Sequence, residues 1–137
     1  MNARLRLWAA VGMLLSVHAT YGSPASPCQI LPAEAWSSVM GYKAGATPGD
    51  MNCSYTSKAG GGQFRILLNA SSNAEAEAAA KRFRGHTQRG KHNAALNLVD
   101  FQGRVVFSIA LFQPVPDAKT ASQLQRLAIE AKKHIAK

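Results

Sequence analysis

Apolar positions recur with two different periods along this chain of 137 residues. Ala35, Trp36, Val39 and Met40 fall at helical spacing, with Pro32 suited to a first helical turn, Glu34 placed to complement the N-terminal dipole and Gly41 as a stop. On that face Trp36 reads as core rather than as a ligand-stacking ring. Residues 42–50 carry Gly45, Pro48 and Gly49 and are expected to form a surface loop. From Met51 the period becomes two: Met51, Cys53 and Tyr55 alternate with Asn52, Ser54 and Thr56, a half-buried strand with Cys53 on its core side. The run Ala59-Gly60-Gly61-Gly62 predicts a tight reversal, after which Phe64, Ile66 and Leu68 resume the alternation. A phosphate-cradling loop is excluded there, since no Gly-Lys-Ser/Thr and no helix follow.

The second half repeats the theme. Ser72-Asn73-Ala74-Glu75 fits a capping box, so a helix is expected from there through Ala76, Ala78, Ala79 and Ala80 to Phe83, with Gly85 as its stop. Residues 93–101 and 104–112 predict a second pair of strands around Gln102-Gly103. In the later strand Val105, Phe107, Ile109 and Leu111 share one face, while Val106, Ala110 and Phe112 share the other. Apolar on both sides, it is expected at the centre of the sheet. Residues 113–117 break the pattern, Asp117 or Thr120 caps a last helix, and Ala121, Leu124, Leu127, Ala128, Ala131 and Ile135 form its apolar face, leaving Arg126, Lys132, Lys133 and Lys137 outside. The expected architecture is α+β in the order α-ββ-α-ββ-α, with a four-stranded, mostly antiparallel sheet packed by helices.

The first residues change where this domain is expected to work. Arg4 and Arg6 precede an apolar stretch at residues 8–17, and Val17-His18-Ala19 or Thr20-Tyr21-Gly22 offers the small-residue exit of a secretory signal. The stretch is about ten residues, half of what a bilayer span needs. Residues 1–22 therefore read as a signal peptide cleaved near 19–22, and residues 23–137 as one α+β domain with a flexible leader at 23–27. Two cysteines in an exported chain predict one disulfide, Cys28 to Cys53, contributing about 3–4 kcal/mol by closing a loop of about 25 residues. No Cys-x-x-Cys spacing or ligand cluster supports a catalytic or metal-binding thiol. The formal charge is +9, and loss of Arg4 and Arg6 would lower it by two, to +7. Such a surplus favours an acidic partner or a polyanion through its long-range field.

Cys28, Ile30, Leu31, Glu34, Ala35, Gly41, Cys53 and Tyr55 together resemble a group of small exported bacterial proteins, many of them lipoproteins. That group opens on Cys-x-Leu-Leu-Thr and Glu-Ala, followed by a glycine and a second Cys-x-Trp/Tyr. The resemblance covers about 30 residues and implies a disulfide-tethered α+β fold and an envelope location. Pro32 stands where a capping Thr is usual, and Ala25-Ser26-Pro27 before Cys28 is no lipid-attachment box. The group has no established catalytic residues to carry over.

The densest chemistry lies in residues 81–92, where Lys81, Arg82, Arg84, Arg89 and Lys91 accompany His86 and His92 with no acid among them. Forked guanidinium groups after a helix end suit phosphate or carboxylate contact, although Lys81, Arg82 and Arg84 would also complement the helix dipole. His86 and His92 could serve as acid and base in RNA transphosphorylation, but their spacing demands neither catalysis nor a metal. The acids do not pair, and Asp50 and Asp100 read as turn or cap residues. No hydrolase, metalloprotease or dinucleotide fingerprint occurs, and no cofactor is expected. Only Phe83 lies within the basic run, which argues against sequence-specific nucleic-acid recognition. The sequence thus points to an exported, non-enzymatic envelope binding protein of immunity or inhibitor type that captures an acidic partner. Non-specific polyanion binding and a small secreted hydrolase or ribonuclease are the alternatives.

Overall fold

The structure, a computed structural model, describes residues 25–85, 96–112 and 118–137. The expected signal peptide lies outside them. Among the described residues the order is α1 (Pro27–Ile30), α2 (Ala33–Met40), β1 (Gly45–Gly49), β2 (Asn52–Ser57), β3 (Gly60–Asn69), α3 (Asn73–Gly85), β4 (Leu96–Gln102), β5 (Val105–Phe112) and α4 (Ala118–Lys132). The strands form one antiparallel sheet in the order β1-β2-β3-β5-β4. The class is α+β as expected, with five strands rather than four.

The extra strand corrects the expected loop at residues 42–50. Gly45–Gly49 pairs with β2 from Gly45 opposite Thr56 to Gly49 opposite Asn52. An edge strand tolerates Pro48, whose missing N–H matters only where a second neighbour needs it. The glycine run is corrected too. The reversal after β2 is Lys58-Ala59, and Gly60, Gly61 and Gly62 belong to β3. A Cβ on Gly62 would come within 2.2 Å of the Ala110 carbonyl oxygen and 2.5 Å of the Trp36 ring. The glycine is needed for close packing, not for turning.

Local signals account for the helices. Pro32 precedes α2, and Gly41, at φ 78°, closes it. Ahead of it, Ser26-Pro27-Cys28-Gln29 starts the short α1 within the expected leader, the Ser26 amide donating to Gln29 Oε1 at 2.9 Å. Ser72 Oγ accepts the Glu75 amide at 3.1 Å at the start of α3, while Glu75 reaches back to the Ser71 amide at 2.9 Å and to the Ser71 hydroxyl. Those bonds hold the Glu75 carboxyl below its ordinary range, the hydroxyl contributing most. In α4 Leu124, Leu127, Ala128 and Ala131 are buried as expected, but Thr120 is buried rather than capping and Ala121 is exposed. Ile135 packs from beyond the helix end.

The two faces of the sheet are packed differently. One carries the main core: Trp36 from α2, Cys53 and Tyr55 from β2, Phe64 from β3, Phe107, Ile109 and Leu111 from β5, and Leu124 and Leu127 from α4. Trp36 is fully buried and stacks on Tyr55 at 4.0 Å between ring centroids, as core and not as a ligand platform. The Tyr55 hydroxyl donates to the Leu31 carbonyl, and burial pushes the phenol above its ordinary pKa. Cys28 and Cys53 are disulfide-bonded, tying α1 to β2. The second face is covered by α3, whose Ala76, Ala79 and Ala80 lie against Val99 and Val106, with Leu67 and Leu68 packed beside them. An irregularity between Ile66 and Leu68 breaks the alternation of β3, so that Leu67 and Leu68 both pack on the second face while Phe64 and Ile66 pack on the first. Strand β5 lies between β3 and β4 and is not the middle strand; its second face is covered at Val106 and left open at Phe112, which is 49% exposed.

Candidate functional site

The described part of the basic run occupies the last turns of α3. Lys81, Arg82 and Arg84 are exposed there, and His86, Arg89, Lys91 and His92 lie outside the described residues. Lys81 meets Glu77 at 3.8 Å one turn earlier. Arg84 turns back onto the sheet: its Nε donates to the Val99 carbonyl at 2.8 Å, and an Nη lies 3.3 Å from an Asp100 oxygen. On the other side of Asp100, Lys132 Nζ of α4 stands 2.6 Å from the second carboxylate oxygen. One carboxylate therefore joins cations from two helices to the edge of the sheet. The same carboxylate accepts the Phe101 amide at 2.8 Å.

These contacts frame a shallow groove of about 360 Å³ along β4, lined by Arg84, residues 97–100 and, from α4, Ala121, Leu124 and Gln125. Its lining is mixed, with Leu98, Val99, Ala121 and Leu124 beside Arg84, Asn97, Asp100 and Gln125. Because β4 is an outer strand, the backbone groups of every second residue face this groove. The Arg84 bond to the Val99 carbonyl and the Asp100 bond to the Phe101 amide mark the odd-numbered residues as the outward ones. The turn agrees: Gln102 and Val105 flank the two-residue link Gly103-Arg104, so the even-numbered residues pair inward with β5.

Asp100 is the residue that sequence reading undervalued. It is opposite the fully buried Phe107, on the sheet face covered by α4, and its side chain is only 18% exposed. An acid in phase with Leu98 on a core face needs cationic partners. That phase was the available signal; the partners, from distant segments, were not visible. His134 lies beyond α4 with Nδ1 2.9 Å from the Ile30 carbonyl oxygen, fastening the C-terminal turn to α1. Among the described residues no cluster of three or more His, Cys, Asp or Glu could hold a metal, and no helix is long and apolar enough to cross a membrane. No family model, curated protein or solved structure matches the chain.

Proposed function

We propose that the protein is an exported, non-enzymatic binding protein of the bacterial envelope, of immunity or inhibitor type, that captures an acidic partner at the β4 groove. The observation that supports this most is the meeting of the groove with the cationic end of α3. Arg84 sits on the groove wall, Lys81 and Arg82 lie on the same turns, and among the described residues the one acid lining the groove is Asp100, already held between two cations. The formal charge, which falls from +9 by two to +7 when Arg4 and Arg6 leave with the signal, adds a field that draws acidic surfaces in from a distance. The Cys28–Cys53 disulfide fits an oxidising compartment, in keeping with the secretory pattern at the N-terminus.

The oxidised protein, immobilised and exposed to envelope and secreted proteins at about 0.5 M salt, where exposed charges are screened within a few ångströms, should hold one acidic protein in stoichiometric amount. Changing Lys81, Arg82 and Arg89 together to Ala should weaken that capture while leaving Arg84 and its structural contacts in place. Retention of nucleic acid or anionic polymer alone, and only at low salt, would show instead that the charge surplus is itself the activity.

A further inference from the structure

We infer that the acidic partner binds as an extended peptide segment, which adds to β4 at Asn97–Val99 as a sixth strand. This inference rests on the capture reading above and specifies how the partner is held. Both outer strands of the sheet offer backbone groups to another chain, and such edges are ordinarily blunted. Edge strand β1 is five residues long and contains Pro48, which has no N–H to offer. The C-terminal half of the β4 edge is closed by side chains, with Arg84 on the Val99 carbonyl and Asp100 on the Phe101 amide. The stretch from Asn97 to the Val99 amide carries no such cap among the described residues, and it is the stretch that lies in the groove.

An added strand there would find three outward backbone groups, the Asn97 N–H and C=O and the Val99 N–H, spaced for strand pairing. Its side chains would alternate between two walls. On one wall stand Ala121, Leu124 and Gln125 of α4, which suit small apolar groups. On the other stands Arg84, whose half-exposed side chain suits a carboxylate. The occupant is thus an extended segment with acidic residues at every second position and small apolar residues between them. A second copy of this chain fits less well, because edge-to-edge pairing would bring two Arg84 cations to one groove.

The decisive variant is Asn97→Pro. Asn97 is exposed and its N–H points away from β5, so proline deletes one groove donor without touching the β4–β5 ladder. Asn97→Ala is the control that keeps the N–H. The probe is a ten-residue synthetic peptide alternating Glu and Val, with its Gln-and-Val counterpart. With the unaltered protein the Glu peptide should slow amide exchange at Asn97 and Val99 and bind several-fold tighter than the Gln peptide at low salt. Asn97→Pro should weaken binding about tenfold, the scale of one lost hydrogen bond, and Asn97→Ala less than threefold. Equal binding by the two variants, protection at other residues, or no binding of either peptide would overturn strand addition. So would a dimer abolished by Asn97→Pro, which would make a second copy the occupant. If Asn97→Pro does not fold, the exchange pattern of the unaltered protein decides alone. If the proline variant still captures the acidic protein held by the unaltered one, strand addition falls and capture stands; if the unaltered protein captures none, the capture reading falls whatever the peptide does.

Discussion

The two ends of the sheet are held by different means. At the β2–β3 end the fully buried Trp36, Tyr55 and Phe64 pack together, and a disulfide closes the chain over them. At the β4 end α3 presents alanines to Val99 and Val106, and the larger ties are polar: Asp100 to Arg84, Asp100 to Lys132 and Arg84 to the Val99 carbonyl. Alanine lets a helix approach closely but buries little area, and buried apolar area carries most of the stabilisation. The contrast suggests a division of labour. The aromatic end supplies stability, and the charged end can spend contacts on a partner. Regions that bind are commonly drawn from the less stable part of a fold.

Trp36→Ala should do the most to erase the contrast. It removes the largest fully buried side chain from above Gly62, at a cost of about 3–5 kcal/mol, read as a lower midpoint in denaturant. Replacing both Cys28 and Cys53 by Ser should cost about 3–4 kcal/mol by freeing the unfolded chain, measured on the same curve, and should leave the relative capture by the groove variants unchanged. Asp100→Asn strikes the other end. Its partners are 48% and 34% exposed, so solvent screening holds the loss to about 1 kcal/mol. That loss should shrink in high salt, and amide exchange should quicken at Phe101 before it does at Phe64. A loss as large as that of Trp36→Ala would show that the charged end anchors the fold.

The smallest effect is expected of Glu75→Gln at the start of α3. The Glu75 carboxyl is held below its ordinary value of 4.5 by the Ser71 hydroxyl and amide. A depressed folded pKa means that the unfolded chain binds the proton more readily. The stabilisation is therefore complete above the unfolded value and is lost as pH falls through the lowered folded one. Thermal midpoints measured from about pH 3 to pH 7 should lose part of their acid slope in the variant and match the unaltered protein's slope at neutral pH. An unchanged acid slope would remove Glu75 from the account.

What was legible in the sequence was local. Pro32 and Gly41 bounded α2, Ser72 and Glu75 opened α3, and alternation located β2, β3 and β5, because caps and periods act between residues a few positions apart. The capping residues Ser26 and Gln29 of α1 are equally local, but Ser26 falls within the stretch 23–27 expected as a flexible leader. The glycines misled because glycine serves two purposes. At Gly62 the demand is room for the Trp36 ring and the Ala110 carbonyl, and neither neighbour is close in sequence.

By itself the sequence determined an α+β chain with Trp36 in its core, one Cys28–Cys53 bridge, a basic run after an alanine-rich helix and an N-terminus of secretory pattern. The tertiary structure alone decided that Gly45–Gly49 becomes an edge strand, that β5 lies between β3 and β4, and that Asp100 joins α3 and α4 at the edge of the sheet. The physical reason is that strand edges and charge partners are fixed by which distant segments come to lie side by side. An edge strand with one neighbour needs no hydrophobic alternation to announce it, and a carboxylate in a strand does not reveal which cations will reach it.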